Sequence, residues 1–428
     1  MNKEALINII NFWQKAADKE HLFPRLLLNA INLKGDEIID LVGPRRSGKS
    51  SLLYLIINQI KSQGNYLFIN FEDPFFIENN GPQVIEELID VYKEYYNPKL
   101  KYLFFDEMQN IKDWEKAIRK LGDGTNYKIF ITGSSSKLLS RELSSLITGR
   151  HLSFELWPLK FKEYLLFKGL SIDSYRDFAQ QKTKISRYFN KYMKLGGFPK
   201  IVLKENEELL KQYYLDILEK DIIKHYDIRH KQIIEKLGVY LLSQAGKLLS
   251  IASIQKTFWI SFEIASNYID YFKEAFLVFE LPQFSYSLKT QQKAQKKIFA
   301  VDTGLANAVS FRFSEDKGRI FENTVFIHLK QMYSELYYYK TKNNLEVDFL
   351  CKQSKKVELI QACFDLYDEK TKAREISALV EAMKELKLSS GIILTNSTKD
   401  TIKIKGATIH VFPAFEWFLF NSEKQLKD

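Results

Sequence analysis

Gly43, Gly48, Lys49 and Ser50 stand in the spacing Gly-x-x-x-x-Gly-Lys-Ser within "LVGPRRSGKSSLLYL". Glycines at both ends of such a loop let backbone N–H groups close around phosphate oxygens. The lysine reaches the terminal phosphates, and the serine hydroxyl can ligate Mg²⁺. Gly43, Pro44, Arg45, Arg46, Ser47, Gly48, Lys49, Ser50 and Ser51 are therefore the candidate nucleotide cradle. A second pair ends the apolar run of "KYLFFDEMQ": Asp106 suits the metal shell beside Ser50, and Glu107 suits the polarising of an attacking water. Together these groups point to hydrolysis of a nucleotide with Mg²⁺. In "YKIFITGSSSKLL", Thr132, Ser134 and Ser135 stand where a hydroxyl can sense the γ-phosphate, and Ser134 joins the candidate catalytic set. A helix N-cap is the other reading of those serines.

The elements needed to position these groups are legible around them. "DEIIDLVG" is a short β-type run, and Leu52, Leu55, Ile56 and Ile60 have helical spacing, so the glycine loop joins a strand to a helix. Tyr102–Phe105 and "YKIFIT" are further apolar strands that deliver Asp106 and the hydroxyl cluster. A chain of 428 residues, 45% hydrophobic and 14% aromatic, is expected to form several globular domains. Its charge of +10 favours a polyanionic partner without requiring one. Cys351 and Cys363 make no Cys-x-x-Cys pair and no disulfide framework, which suits a reducing compartment. With no secretory-type N-terminus and no apolar run long enough to span a membrane, the expected location is cytoplasmic, with no membrane partner.

The segments "GPRRSGKSSLL", "YLFINFED", "YLFFDEMQNIKDWEKAIRKL", "ITGSSSKLLSRELSSLITGR" and "LWPLKFKEYL" resemble the AAA-plus ATPases, and among them the prokaryotic ATPases that carry the C-terminal domain of unknown function 4143. The resemblance implies an α/β fold: a P-loop AAA-plus three-layer parallel sheet, followed by a winged-helix domain and a PD-(D/E)xK nuclease-like α/β domain. It also implies that Arg150 reaches the γ-phosphate of a neighbouring subunit, with Arg141 in reserve, in a homo-oligomeric ring or at least a head-to-tail oligomer, a hexamer being one such ring and the ring size left open. Capping of its own helix is the alternative for Arg150.

The implied order is a helical segment at 1–30, the ATPase core at 31–158, a helical lid and linker at 159–230, a winged helix at 231–303 and the nuclease-like domain at 304–428. "GGFPK", from Gly196 to Lys200, reads as a hinge between helices. In the winged-helix segment, Phe262, Ala265, Ile269 and Phe272 fall on one face of the third helix. Two strands follow, joined by the tip "KTQQKAQKK", whose Lys289, Lys293, Lys296 and Lys297 are candidate phosphate contacts. The opposite face of the third helix offers Ser261, Glu263, Asn267, Asp270 and Lys273, too weakly basic for base reading. Sequence-independent DNA contact is therefore expected, with protein contact the alternative.

A nuclease of the implied C-terminal fold needs a carboxylate at a strand end, then an acid and a lysine two apart on the next strand. Asp348 supplies the first, and Glu322 can add a helix-borne ligand. Gln361 and Cys363 stand where the acid and lysine belong, so the domain reads as a degenerate nuclease fold. The leading expectation is an oligomeric ATPase that couples Mg-ATP hydrolysis to remodelling or translocation of branched or duplex DNA. The alternatives are a nucleotide-operated switch in a defence or signalling assembly, and an ATP-dependent metal nuclease.

Overall fold

Five apolar runs in the first 157 residues form strands β1 (Ile38–Val42), β2 (Tyr66–Asn70), β3 (Tyr102–Asp106), β4 (Lys128–Gly133) and β5 (His151–Glu155). The structure is a computed structural model that describes residues 2–18, 22–60, 64–124, 126–135, 151–310, 316–354, 356–404 and 406–421. It divides into two units, Met1–Trp157 with Glu274–Phe276 and Pro158–Lys273 with Leu277–Asp428.

In the first unit all neighbouring strands are parallel, in the order β2-β3-β4-β1-β5. Helices α1 (Lys3–Ala17), α2 (Lys49–Ile60), α3 (Phe75–Glu78), α4 (Gln83–Tyr95) and α5 (Trp114–Gly124) accompany them. Ile39, Leu41, Phe68, Phe104 and Phe130 project from one face into a core with Leu52, Leu53, Ile56 and Ile57 of α2. Ile38 projects from the other, where its Cδ1 lies 3.2 Å from the place a Cβ on Gly122 of α5 would take. A sheet covered on both faces explains strands that are apolar throughout instead of alternating. Because every strand runs the same way, the C-terminal ends of β1, β3 and β4 share one edge, and ligands of open α/β sheets bind along that edge.

The second unit opens with helices α6 (Phe161–Phe167), α7 (Tyr175–Leu195), α8 (Pro199–Lys204) and α9 (Glu208–Ile217), the last running into a π-helical turn at Leu218–Ile223. There follow α10 (Lys231–Ser243), β6 (Lys247–Leu248), α11 (Ile251–Phe258), α12 (Phe262–Glu274), β7 (Val278–Leu281), α13 (Leu288–Lys293) and β8 (Lys297–Ala300). Strands β6, β8 and β7 make an antiparallel sheet in that order. Beyond α14 (Thr303–Val309) and α15 (Lys317–Lys330) come β9 (Glu335–Lys340), β10 (Glu346–Gln353), β11 (Lys356–Ala362), α16 (Glu369–Leu386), β12 (Ser390–Thr395), β13 (Asp400–Ile404), β14 (Ala407–Pro413) and α17 (Ala414–Phe420). The six strands order as β13-β14-β12-β11-β10-β9, with α16 crossing between the parallel pair β11 and β12. Leu350, Leu359, Ile393 and Val411 of this sheet pack on Ala378, Leu379 and Met383 of α16.

Two expectations about this unit are corrected. The "KTQQK" tip is the short helix α13, capped by the Ser287 side chain, and not an open hairpin loop. Phe262 does not join Ala265, Ile269 and Phe272 in the core; it is 60% exposed, in the first turn of α12. The Gly196–Gly197 turn lies between α7 and α8, where a joint between helices was expected, and it is clamped. Gly197 N donates to Asp302 Oδ2 at 2.7 Å, and Leu305 N to Asp302 Oδ1 at 2.8 Å. Gly196 has φ +75, and a Cβ there would fall 2.0 Å from Asp302 Oδ1, so the carboxylate can sit against this turn only because the residue is glycine.

Candidate nucleotide site and the C-terminal acidic cluster

The loop between β1 and α2 has the shape that its glycines predict. Gly43 has φ +150 and lies so close to β5's continuation that a Cβ would come 2.2 Å from Leu156 O. Gly48 has φ +101, and Arg46 takes a left-handed φ of +72 without being glycine, a conformation that costs on the order of 1 kcal/mol. Leu52 N donates to Gly48 O, so α2 begins at Lys49 and directs its N-terminal N–H groups at the loop. The Lys49 ammonium is buried and donates to Gly43 O at 2.9 Å and Pro44 O at 3.2 Å. Arg45 pairs with Glu72 at 3.0 Å.

Asp106, at the end of β3, is the hub of the site. Its Oδ2 accepts from Ser50 Oγ at 2.6 Å and Asn70 Nδ2 at 2.8 Å, and its Oδ1 accepts from Thr132 Oγ1 at 2.5 Å. Burial, joined by the nearby Glu107 charge, pushes its carboxyl up to about 6, against the pull of these hydroxyls and of Lys49. A divalent cation would reverse that balance, because a positive charge beside a buried carboxylate favours its ionised form. The residues thus fit Mg²⁺, which Ser50 and Asp106 would hold.

Glu107 follows with a left-handed φ of +54, which turns its carboxylate out of the strand line. Its N–H donates to Thr132 Oγ1 at 3.0 Å. The Thr132 hydroxyl therefore links Asp106 to the Glu107 backbone. Ser134 is buried, and its Oγ lies 3.3 Å from Gln109 Nε2. Arg141 and Arg150 lie outside the described residues.

Three participants were not singled out by the sequence. Asn70 ends β2 and supports Asp106, and Gln109 Nε2 donates to Glu107 Oε2 at 2.5 Å. Arg25 is buried, and its guanidinium donates to Ser47 O at 2.7 Å and to Trp157 O at 2.8 Å, tying the loop to the end of β5. The signals were slight: an amide at the close of "YLFIN", another two positions after Glu107, and one arginine ahead of an apolar run.

In the second unit the structure brings Glu322 of α15 and Asp348 of β10 together, and adds Glu346, which sequence reasoning missed. The surprise is Lys297. Expected to touch phosphate, it is buried instead, with its ammonium 2.7 Å from Glu346, 2.9 Å from Glu322 and 3.2 Å from Asp348. Burial alone would lower this ammonium, but the charges of Asp348, Glu322 and Glu346 outweigh it and hold the pKa well above the usual lysine range. With three carboxylates around one ammonium, burial and the Asp348 charge push Glu322 up to about 8. Lys296, by contrast, is partly exposed and pairs with Glu280 at 2.7 Å. Lys289 and Lys293 lie on α13, and Lys289 is exposed.

Gln361 and Cys363 take structural parts here. Gln361 Oε1 accepts from Asp348 N at 3.1 Å, and its amide donates to Glu375. The Cys363 thiol donates to Asp365 O and is pushed up to about 12, chiefly by burial, so it is uncharged at neutral pH. A metal on Glu322 and Asp348 would have to displace the Lys297 ammonium, and among the described residues no group of three or more His, Cys, Asp or Glu side chains is arranged to hold a metal ion. These residues do not fit the divalent ion of a nuclease centre.

Comparison with known proteins accords with the first unit's geometry. Residues 35–165 match an AAA domain, 186–316 the domain of unknown function 8612, and 317–417 the domain of unknown function 4143. The Methanocaldococcus jannaschii uncharacterized protein MJ1544 is 38% identical over 407 residues, spanning 91% of this chain and 90% of its own. An uncharacterized Haemophilus influenzae protein is 27% identical over 406 residues, spanning 92% and 97%. Among solved structures, AMPPCP-bound DnaA from Aquifex aeolicus is 16% identical with a TM-score of 0.24, covering 58% of this chain and 85% of its own, a likeness too slight to bear on fold or function. No described helix is long and apolar enough to cross a membrane. With a nucleotide-type loop on a parallel sheet, an AAA domain match over that sheet and a relative 38% identical along nearly its whole length, the chain belongs to the MJ1544 family of AAA-type ATPases that carry the 4143 domain.

Proposed function

We propose that this chain hydrolyses Mg-ATP in an oligomer and couples turnover to binding and remodelling of DNA. The observation that carries the hydrolytic part is the Asp106 hub, which joins the Ser50 hydroxyl, the Thr132 hydroxyl and the Glu107 backbone on one sheet edge. Phosphates lie in the Gly43–Ser51 loop, where the α2 N-terminus and Lys49 meet their charge. For this, Lys49 exchanges its carbonyl partners for the β/γ-phosphates. Ser50 and Asp106 would hold Mg²⁺, which when bound would neutralise charge on the transferring phosphoryl group. Glu107 orients and deprotonates the attacking water, Ser134 contacts the γ-phosphate, and Arg150 completes a neighbour's site. A ring follows from such head-to-tail contacts when their rotation closes.

The DNA part rests on the segment from α10 to β8. Its order of helix, short strand, two helices and two strands is that of a winged helix, and Lys289 and Lys293 lie on the connection between the last two strands. Backbone phosphates, not base edges, are the contact that such lysines make. The 4143 domain is a nuclease-like fold without its metal chemistry, a reading supported by Lys297 among the carboxylates and by Gln361 and Cys363 in hydrogen bonds.

The experiment is the ATPase rate with and without linear, single-stranded and four-way-junction DNA at two salt concentrations. Stimulation that weakens steeply with salt is the expected result, because phosphate contacts release counterions. Hydrolysis indifferent to every DNA would favour the nucleotide-operated switch.

A further inference from the structure

Gln109 lies two residues beyond Glu107, in the 3₁₀ turn Met108–Asn110. Its side-chain amide faces two groups of the site at once, at 2.5 Å from Glu107 Oε2 and 3.3 Å from Ser134 Oγ. The turn is itself fixed, since Asn110 N donates to Glu107 O at 3.2 Å and Asn110 Nδ2 to the same oxygen at 3.1 Å. Gln109 Oε1 is buried with no hydrogen-bond partner among the described residues, so the amide is not oriented from behind by the protein. A buried carbonyl without a donor carries a desolvation cost that a bound water or ligand group would relieve.

We propose that Gln109 is the positioning residue for hydrolysis, an amide bridge that joins the water-polarising carboxylate to the γ-phosphate sensor. The inference rests on the hydrolytic reading of Glu107 and Ser134. Glu107 leaves β3 in a left-handed conformation, so its side chain starts from a fixed backbone direction but keeps its own rotatable bonds. By donating to Oε2, Gln109 fixes those bonds and leaves Oε1 to receive the proton of the attacking water. The unpaired Gln109 Oε1 can accept the water's second proton as a hydrogen bond, so one side chain orients both base and nucleophile. Because the same N–H₂ group faces Ser134 Oγ, one amide holds the carboxylate and the sensor hydroxyl in a fixed relation to each other. No proton passes through Gln109. It holds the pair whose geometry the transition state requires, and misplacing such a pair lowers turnover with little loss of binding.

The test compares Gln109→Ala, Ser134→Ala, the double variant and Glu107→Gln, measuring steady-state ATP turnover and the affinity of a fluorescent ATP analogue. Gln109→Ala is expected to lower kcat by about ten- to a hundredfold while nucleotide affinity stays within about twofold. The double variant should lose little beyond the larger single loss, as residues acting as a unit are not additive. Gln109→Glu, with an acid against Glu107, should turn over no faster than Gln109→Ala. If Gln109→Ala keeps kcat within about twofold of wild type while Glu107→Gln abolishes it, the bridge is refuted and the hydrolytic reading stands. If Glu107→Gln itself keeps full turnover, the hydrolytic reading fails and the bridge with it. Parallel loss of affinity and kcat in Gln109→Ala would assign the residue to loop structure and also overturn the proposal.

Discussion

Lys297→Met replaces the ammonium at the centre of the C-terminal acidic cluster by an apolar side chain of similar length. Glu322, Glu346 and Asp348 then face one another without a cation. Breaking a buried ion pair from one side costs about 3–5 kcal/mol. Glu346 is one-third exposed, so solvent screens its share and the lower end applies. At about 2–4 °C per kcal/mol for a unit of this size, about 3 kcal/mol lowers the melting transition by about 6–12 °C. Two further readouts separate charge from packing. The deficit should shrink as pH falls, because protonated carboxyls no longer repel one another. In a Lys49→Ala background without nucleotide, millimolar Mn²⁺ should raise the melting temperature of Lys297→Met by binding the vacated carboxylates, and leave the Lys297 protein unchanged. The assay is a thermal melt followed by circular dichroism across pH and Mn²⁺ concentration. A Lys297→Met melt within about 1 °C of its parent would refute the ledger. Mn²⁺ stabilisation of the Lys297 protein that disappears in Asp348→Ala would show that the cluster is a metal site after all.

Two other perturbations follow from buried polar groups. Arg25→Ala strips the donors from Ser47 O and Trp157 O and should weaken nucleotide affinity by about tenfold in an equilibrium titration; Arg25→Lys should not restore it, since one ammonium cannot reproduce the guanidinium fork. Asp302→Ala orphans the N–H groups of Gly197 and Leu305, and urea unfolding should show a loss of about 2–4 kcal/mol. Burial pushes the Asp302 carboxyl from 3.8 up to about 6, so the folded state holds a proton the unfolded state has lost over that interval. This group's contribution therefore falls as pH rises from 3.8 to about 6, by up to about 3 kcal/mol, and Asp302→Asn should flatten that part of the stability profile.

How much of this was legible beforehand differs between the two units. In the first, strand, loop and helix are contiguous in the chain, so spacing alone located Gly43, Lys49 and Ser50, and the acidic pair marked the end of β3. A parallel sheet then does the assembling, since all its strand ends share an edge. The residues that were missed are those whose partners are remote. Arg25 reaches carbonyls 22 and 132 positions away, and Asn70 reaches Asp106 across 36. Gln109 is near in sequence, but only the turn after β3 reveals which atoms its amide faces.

In the second unit the sequence supplied elements and two acids that the structure brings together, yet misjudged a lysine. Lys296 and Lys297 are neighbours where the chain enters β8, and one goes to a partly exposed pairing with Glu280 and the other into the interior. Which of two adjacent lysines meets solvent depends on what packs against each face, and that is a property of α15 and β10, not of the local sequence. The sequence by itself determined the glycine loop between β1 and α2, the acidic pair and the absence of the acid–lysine pair on β11, because each is fixed by residue type at short spacing. Tertiary structure alone decided that Asp106 is a hydroxyl-bonded hub, that Asp302 clamps the glycine turn, and that Lys297 fills the acidic cluster. Each joins residues distant in sequence, and burial makes unpaired charge too costly for them to remain apart.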